Sequence, residues 1–179
     1  MNNMKYLVIS DIHGIKKYAL EIPRIIDIEK PDKIIILGDL YYHGNDKKMN
    51  LESMDVTNIL NEYSKKIICT RGNCDTDIDI AISEFEIKEY IKIIINNKKF
   101  FFTHGNKYND DNIFKDIDIF VFGHLHTGFI KKYNEIIYVN SGSISLPRNN
   151  THNSYLIIDD EYINLKDING NLIDKYNYI

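Results

Sequence analysis

The chain has 179 residues, of which 44% are hydrophobic and 27% charged, and this balance predicts one folded domain over residues 1–179. A formal net charge of −4, without a long run of Lys or Arg, argues against a nucleic-acid polymer as a partner. The apolar runs fall short of the roughly 20 residues that span a bilayer, the N-terminus lacks a signal-peptide pattern, and two cysteines are too few for a disulfide framework. We therefore expect a cytoplasmic protein that does not act at a membrane.

The first half of the chain alternates short apolar runs with helical patterns. Three apolar runs predict buried strands, at residues 6–10, 33–37 and 66–70. Lys16–Glu29 has helical spacing, and Pro23 favours two short helices there. Asn50 is a candidate N-cap for a further helix through Tyr63, with Leu51, Met54 and Ile59–Leu60 as candidate buried residues. Fully apolar strands in a β-α-β-α-β order indicate a mainly parallel sheet that is buried on both faces.

The second half of the chain has the pattern of antiparallel strands. Asn96-Asn97 separates two apolar runs and predicts a hairpin turn, and a buried strand is predicted over Asp118–Phe122. Five short strand patterns fill the remainder, at residues 129–132, 136–140, 154–158, 162–166 and 172–176. Together the two halves predict an α/β fold, a layered α/β/β/α sandwich of two mixed sheets flanked by helices.

Metal-capable side chains directly follow the apolar strands. They lie in five blocks: Asp11-Ile12-His13, Gly38-Asp39, Gly72-Asn73, His104-Gly105 and Gly123-His124-Leu125-His126. Ligands of open α/β sheets bind at the carboxyl ends of the strands, so these blocks should meet at one edge. Residues two apart in an extended chain point the same way, so Asp11 and His13 can share one ion, and His124 or His126 can join other groups.

The seven candidate ligands offer only oxygen and nitrogen atoms: Asp11, His13, Asp39, Asn73, His104, His124 and His126. Such a set suits Mn, Fe, Zn, Co or Ni and argues against a structural zinc site with thiolate ligands. Seven ligands exceed the need of one ion but suit two ions that share a bridging carboxylate. Two adjacent divalent ions can clamp both oxygens of an in-line displacement, and their charge would attract a phosphate anion to an acidic protein.

The five blocks, in this order, resemble the motifs of the calcineurin-like metallophosphoesterase family, most of all its YfcE-type bacterial phosphodiesterases. The similarity runs from Asp11 to the Gly142-Ser143 turn, nearly the whole chain. It implies one metal on Asp11, His13, Asp39 and His126. It implies a second metal on Asp39, Asn73, His104 and His124, with Asp39 bridging. It also implies a metal-bound hydroxide as nucleophile and Mn2+ as a frequent activator, with Zn2+, Ni2+, Fe2+ and Co2+ as alternatives.

Cys74 departs from the pattern of many relatives, which place a histidine there that can protonate the leaving group. A thiol beside two cations should have a lowered pKa and be a poor proton donor at neutral pH. Substrates with good leaving groups should therefore react best. The predicted catalytic residues are Asp39, Asn73, His124 and Cys74.

Four residues are predicted substrate contacts: Asn73, His43, Arg71 and Arg148. Either arginine can clamp a phosphate bidentately, but such arginines are more often structural or solvated. His43 lies in the loop after Asp39 and is either a substrate contact or a surface residue. Asn73 is the weakest metal ligand of the set, because a neutral amide is also a good turn residue.

The leading interpretation is a metal-dependent phosphodiesterase that acts on small phosphodiesters. A phosphomonoesterase would use the same metal clamp and is the nearest alternative. A binding scaffold similar to the retromer subunit would need a degraded metal site, whereas here every ligand position is filled. A DNA nuclease of the same superfamily would be expected to carry an additional domain and a basic stripe. Exposed strand edges in the C-terminal half would allow a homo-oligomer.

Overall fold

The computed structural model of the protein describes residues 4–42, 47–107 and 116–179. The helices described are α1 (Lys16–Ala19), α2 (Glu21–Glu29), α3 (Lys47–Asn61) and α4 (Asp77–Ile82). The strands up to residue 88 are β1 (Tyr6–Ile9), β2 (Lys33–Ile36), β3 (Ile67–Thr70) and β4 (Glu86–Lys88). The later strands are β5 (Ile91–Ile95), β6 (Lys98–Thr103), β7 (Ile119–Phe122), β8 (Gly128–Tyr133), β9 (Ile136–Ser141), β10 (Ser154–Ile158), β11 (Tyr162–Asp167) and β12 (Leu172–Asn177).

The described strands form two mixed sheets, as predicted. The seven-stranded sheet has the order β12-β11-β10-β1-β2-β3-β4, and β1 to β4 run parallel. The five-stranded sheet has the order β5-β6-β7-β9-β8. The antiparallel pairing predicted for the second half is found in β5–β6, β8–β9 and β10–β12. Strand β9 also pairs with β7 and lies parallel to it, because the chain returns from β8 into the gap between β7 and β8.

Two apolar cores separate three layers. The first core lies between the helices and the seven-stranded sheet and includes Leu7 and Ile9 of β1. The second core lies between the two sheets and includes Val8 of the same strand, with Phe100 and Phe102 of β6. Because successive side chains of a strand point to opposite faces, a strand between two cores must be apolar throughout.

The described helices all belong to one outer layer. Ala19 of α1, Ile25 of α2, Leu60 of α3 and Ile82 of α4 pack in or against the first core. The outer face of the five-stranded sheet is not covered by any helix from residues 4–42, 47–107 and 116–179. The fourth layer of the predicted sandwich, a helical layer on this face, is therefore not found in the described part of the chain. The longest described helix has 15 residues, and no described helix combines the length and apolarity needed to cross a bilayer.

Helix α3 differs from its prediction in its start and in part of its buried face. It begins at Lys47, ahead of the predicted cap Asn50. Leu51 and Met54, which were expected in the core, are 71% and 52% exposed. The buried face consists of Ser53, Val56, Thr57 and Leu60, of which Leu60 was predicted. Two of these four residues carry hydroxyls, so a pattern based on apolar residues alone identifies only part of the buried face.

The hairpin turn between β5 and β6 forms at the predicted residues. Asn96 and Asn97 have φ values of 45° and 62°, as a two-residue type I′ turn requires. Asparagine tolerates this left-handed region better than most residues. Asn96 Nδ2 also donates to Asp160 O (3.0 Å), which connects the hairpin to the seven-stranded sheet.

Candidate metal centre

The seven predicted metal ligands converge where the two sheets meet. Strands β1, β2 and β3 end side by side in one sheet, as do β6 and β7 in the other. His124 N–H donates to Asp11 Oδ2 across the two sheets (3.0 Å), and Gly123 N–H donates to His104 O (3.0 Å). The strand order therefore brings all five sequence blocks to one edge of the sandwich.

Five of the seven residues have a left-handed backbone. They are Asp11 (φ 56°), His13 (φ 50°), Asp39 (φ 53°), His124 (φ 62°) and His126 (φ 57°). The extended conformation expected for the Asp11-x-His13 pair is therefore wrong, and both pairs lie in turns beyond their strands. Such a backbone costs roughly 1–2 kcal/mol per residue unless surrounding contacts hold it, and it concentrates at functional sites.

Asp11, His13 and His126 form a first group of facing ligand atoms. His126 Nε2 lies 3.1 Å from Asp11 Oδ1 and 3.2 Å from His13 Nε2. Asp11 is fully buried, and its Oδ1 has no hydrogen-bond partner within the described part of the chain. Asp11 Oδ2 is occupied, because it accepts hydrogen bonds from Ser10 Oγ (2.5 Å) and from the backbone of His124. A buried carboxylate oxygen without a partner suits a cation.

Asn73, His104 and His124 form a second group beside the first. His104 Nε2 lies 2.9 Å from Asn73 Oδ1 and 3.2 Å from His124 Nδ1. Asp39 lies between the two groups, since its Oδ2 is 3.4 Å from His104 Nε2 and 3.6 Å from His13 Nε2. One carboxylate oxygen of Asp39 therefore faces both groups at once.

Hydrogen bonds determine which nitrogen of two histidine rings faces the site. His104 Nδ1 donates to Leu37 O (2.7 Å), and His126 Nδ1 donates to Leu146 O (2.8 Å). A carbonyl oxygen only accepts, so in each neutral ring Nδ1 carries the hydrogen and Nε2 presents a lone pair. The lone pair of His104 then faces the amide oxygen of Asn73. These donor atoms fit divalent cations, which would relieve the repulsion between them.

The protonation states of the site follow from burial and pairing. Burial alone would raise the pKa of Asp11, but His126, His13 and the charge of His104 hold that pKa well below its usual range. Burial lowers the pKa of His126, yet its pairing with Asp11 is stronger and the net pKa is raised. Burial and the charge of His104 lower the pKa of His124. The lowered pKa values of Asp11 and His124 favour the deprotonated forms that bind a metal, whereas the raised pKa of His126 means that a metal there must compete with a proton.

Polar residues that the sequence did not point to hold the ligand loops in place. The Ser143 and Ser145 hydroxyls both donate to Asp11 O, at 2.8 and 2.7 Å. Asn140 Nδ2 donates to Gly123 O (2.6 Å), next to the His124 turn. Asn140 follows an apolar run just as the ligands do, so the strand-end rule could have identified it.

Asp75 is a further residue that the sequence analysis did not select. Its buried carboxylate accepts hydrogen bonds from the backbone N–H groups of Asp39 (2.9 Å), Leu40 (2.8 Å) and Gly72 (2.7 Å). Burial raises the pKa of Asp75 although these bonds act to lower it. The signal was its place at the end of the Gly72-Asn73-Cys74-Asp75 block.

Cys74 is exposed at the rim of the site. Its backbone N–H donates to Asp39 Oδ1 (2.8 Å), and its Sγ accepts from Asn73 Nδ2 (3.3 Å). Its sulfur lies within 4.8 Å of ligand atoms of His13 and Asp39. Burial and the charge of Asp39 raise the pKa of the thiol to about 12. The lowered pKa expected from the sequence is therefore opposite to the effect of the protein groups, and it would depend entirely on bound cations.

The predicted substrate contacts differ in whether their side chains are already engaged by other residues. Arg71 is engaged by Asp77 Oδ1 (2.9 Å) and by Asp75 O (3.3 Å). Arg148 is exposed, its backbone N–H donates to His126 O (2.8 Å), and its charge acts to lower the pKa of His126. His43 lies outside the described residues.

Comparison with known proteins gives relatives that match over nearly their full length. Phosphodiesterase YfcE of Escherichia coli K12 is 29% identical over 175 residues, which cover 95% of both chains. The solved structure of YfcE, described as a phosphoesterase from E. coli, superposes with a TM-score of 0.90 at 26% identity and covers 98% of this chain and 100% of that one. Vacuolar Protein Sorting 29 from Cryptosporidium parvum shares the fold, with a TM-score of 0.68 at 17% identity over 98% of each chain.

The profile of the calcineurin-like phosphoesterase superfamily domain matches residues 4–161. This range includes all seven predicted ligands and the strands of both sheets that carry them. The match confirms the predicted fold and the prediction of a metallophosphoesterase, an enzyme of the phosphoric ester hydrolase class. The chain therefore belongs to the calcineurin-like phosphoesterase superfamily.

Proposed function

We propose that the protein is a metal-dependent phosphodiesterase that hydrolyses small phosphodiesters at a binuclear centre. The observation that carries this proposal is the position of Asp39 Oδ2 between the two ligand groups, 3.6 Å from His13 and 3.4 Å from His104. A shared carboxylate oxygen is the arrangement that two neighbouring divalent ions need. The full-length similarity to phosphodiesterase YfcE supports the choice of a diester substrate.

Each ligand group would hold one divalent ion. Asp11, His13, Asp39 and His126 would hold the first, and Asp39, Asn73, His104 and His124 the second. The oxygen and nitrogen donor set suits Mn2+, Zn2+, Ni2+, Fe2+ or Co2+, and the resemblance to metallophosphoesterases makes Mn2+ the first choice among them. The two ions would supply the hydroxide nucleophile and offset the charge of the phosphate.

The chain's own residues contribute positioning and charge. Leu37 O and Leu146 O orient the rings of His104 and His126, so their Nε2 atoms stay directed into the site. Arg148 is the better candidate for a phosphate clamp, because Arg71 is engaged by Asp77 and by Asp75 O. Cys74 Sγ lies within 4.8 Å of ligand atoms of His13 and Asp39, and a thiol whose pKa is raised by burial and by Asp39 is a weak proton donor.

The test is an assay of the chelator-stripped protein on bis(p-nitrophenyl) phosphate and p-nitrophenyl phosphate. Each substrate is tried with Mn2+, Zn2+, Ni2+ and no metal. The variant is Asp39→Asn, and Asp174→Asn, an exposed aspartate of β12, is the matched control. We expect metal-dependent hydrolysis that is faster on the diester, lost in Asp39→Asn and retained in Asp174→Asn.

The other outcomes distinguish the alternatives. A preference for the monoester would keep the metal centre and make the protein a phosphomonoesterase. Activity that survives in Asp39→Asn would refute the shared-ligand site. A protein that neither binds metal nor hydrolyses either ester would favour the binding scaffold. We further propose that the substrate is a small phosphate ester and not a nucleic-acid polymer.

A further inference from the structure

Two ligand loops of the centre pack against each other with almost no space between them. One follows β2 and carries Asp39, and the other follows β3 and carries Asn73. A Cβ added to Gly38 would lie 2.5 Å from Gly72 N, and one added to Gly72 would lie 2.1 Å from Asp39 Oδ1. Any side chain at either position would therefore force the loops apart.

The Asp75 carboxylate connects these loops through the main chain. Oδ2 accepts from Asp39 N and Gly72 N, one in each loop, and Oδ1 accepts from Leu40 N. Asp75 is 5% exposed, and these three donors use both of its oxygens. Asp75 therefore binds backbone N–H groups of both loops, and its carboxylate does not face the ligand cluster.

The same segment also orients the Asp39 side chain. Cys74 N–H donates to Asp39 Oδ1 (2.8 Å), and this bond turns Oδ2 toward His13 and His104. Asp39 has φ 53°, a conformation that needs outside contacts to hold it. Asp75 supplies such a contact at Asp39 N–H.

We propose that Asp75 is a positioning residue that fixes Asp39 as the ligand shared by both metal groups. The inference rests on the proposed binuclear centre. Because Asp39 faces both groups, displacing it should lower the affinity of the site for both ions. Loss of a ligand from only one group should lower the affinity for one ion. Mutation of a residue that orients a metal ligand through hydrogen bonds typically lowers metal affinity by about 10–100-fold.

The experiment compares Asp75→Asn with Asp77→Asn in the full chain. An amide at position 75 places an NH2 group against at least one backbone N–H, so it cannot hold all three donors. Asp77 lies in the same segment, is 93% exposed and pairs with Arg71, so its change removes the same charge without touching Asp39. Mn2+ affinity and stoichiometry are measured by calorimetry, and coupling between the two Mn2+ ions by electron paramagnetic resonance.

We expect Asp75→Asn to lose at least about tenfold in affinity for both ions and to lose the spin-coupled signal, with Asp77→Asn unchanged. A purely structural role would lower the melting temperature and leave these readouts at their wild-type values in the folded protein. A folded Asp75→Asn that binds two coupled ions with wild-type affinity overturns the proposal.

A second variant keeps the test decisive if Asp75→Asn does not fold. Asp75→Glu retains both acceptor oxygens but moves them by one methylene, so we expect weakened binding of both ions, and unchanged affinity there also overturns the proposal. The binuclear centre is judged separately on the wild type. Fewer than two bound Mn2+ ions there would refute the centre, whereas two ions in wild type and variant alike would refute only the role of Asp75.

Discussion

At the scale of single residues, the site depends on which atom of each side chain is left free. Asp11 presents Oδ1 because Ser10 and His124 occupy Oδ2. Asp39 presents Oδ2 because Cys74 N–H occupies Oδ1. In both carboxylates one oxygen accepts hydrogen bonds from the protein, and the other faces the ligand cluster.

Cys74 offers a test at this scale. Replacing it by histidine is predicted to raise turnover of diesters with poor leaving groups. A thiol donates a proton poorly at neutral pH whether burial and Asp39 raise its pKa or bound cations lower it until the proton is lost, whereas an imidazole titrates near neutrality. A positioned acid contributes roughly 10²–10⁴-fold, so we expect a gain of at least about tenfold for poor leaving groups and little change for p-nitrophenolate.

The measurement is kcat across a series of diesters with leaving groups of increasing pKa. Cys74→Ser serves as the control, since a hydroxyl is no better an acid than the thiol. An unchanged dependence of kcat on leaving-group pKa in Cys74→His would show that position 74 does not reach the leaving group.

At the scale of elements, strand ends and turns were predictable because their signals are local. The β5–β6 turn needs only two residues that accept positive φ, and Asn96-Asn97 supplies them. The buried face of α3 was only partly predictable, because Ser53 and Thr57 lie on it beside the predicted Leu60 and Leu51 lies outside. Ser53 is buried because its hydroxyl is bonded to Tyr42 N and O, a contact that only tertiary structure creates.

The hairpin yields a stability prediction. Asn97→Val should destabilise the protein by roughly 1–2 kcal/mol, because a β-branched side chain is strained at φ 62°. Asn97→Gly should be neutral or stabilising, since Asn-Gly is a favoured type I′ pair. Urea denaturation of the metal-free protein gives the free energy of unfolding.

Phosphodiesterase activity serves as the internal control for this pair of variants. The turn precedes β6, whereas His104 follows it, so neither variant should change kcat. If the valine and glycine variants had the same free energy of unfolding, the positive φ at position 97 would not contribute to stability.

At the scale of the whole molecule, ligand side chains from the two sheets face each other at the site. The cluster contains two carboxylates and four histidines drawn from both sheets, so metal binding should stabilise the sandwich as a unit. At a free Mn2+ concentration of 100 times Kd, one site adds about 2.7 kcal/mol to the free energy of unfolding.

This stabilisation should depend on pH through His126, whose pKa is raised above its ordinary value. In the metal-free protein the protonated ring stabilises the fold fully below the unfolded pKa of about 6.5, and this contribution is lost as pH rises through the folded pKa. Mn2+ needs the unprotonated ring, so the increase in Tm on adding Mn2+ should grow as pH rises through the same range.

Thermal melts with Mn2+ and with chelator, across this pH range, measure the effect. His152→Gln, a change at an exposed histidine, should leave the pH dependence intact. A Tm increase that does not vary with pH would show that His126 carries no proton to displace.

The sequence by itself determined the described strands other than β4, the hairpin and the identity of the seven candidate ligands, because an apolar run and the polar residue that ends it are neighbours in the chain. Only the tertiary structure decided which atoms face each other, since Asp11 and His126 are far apart in sequence and meet through the pairing of strands. It also placed Asp75, whose three hydrogen bonds reach across two loops. Long-range contacts of this kind leave no periodic signal in the residues that make them.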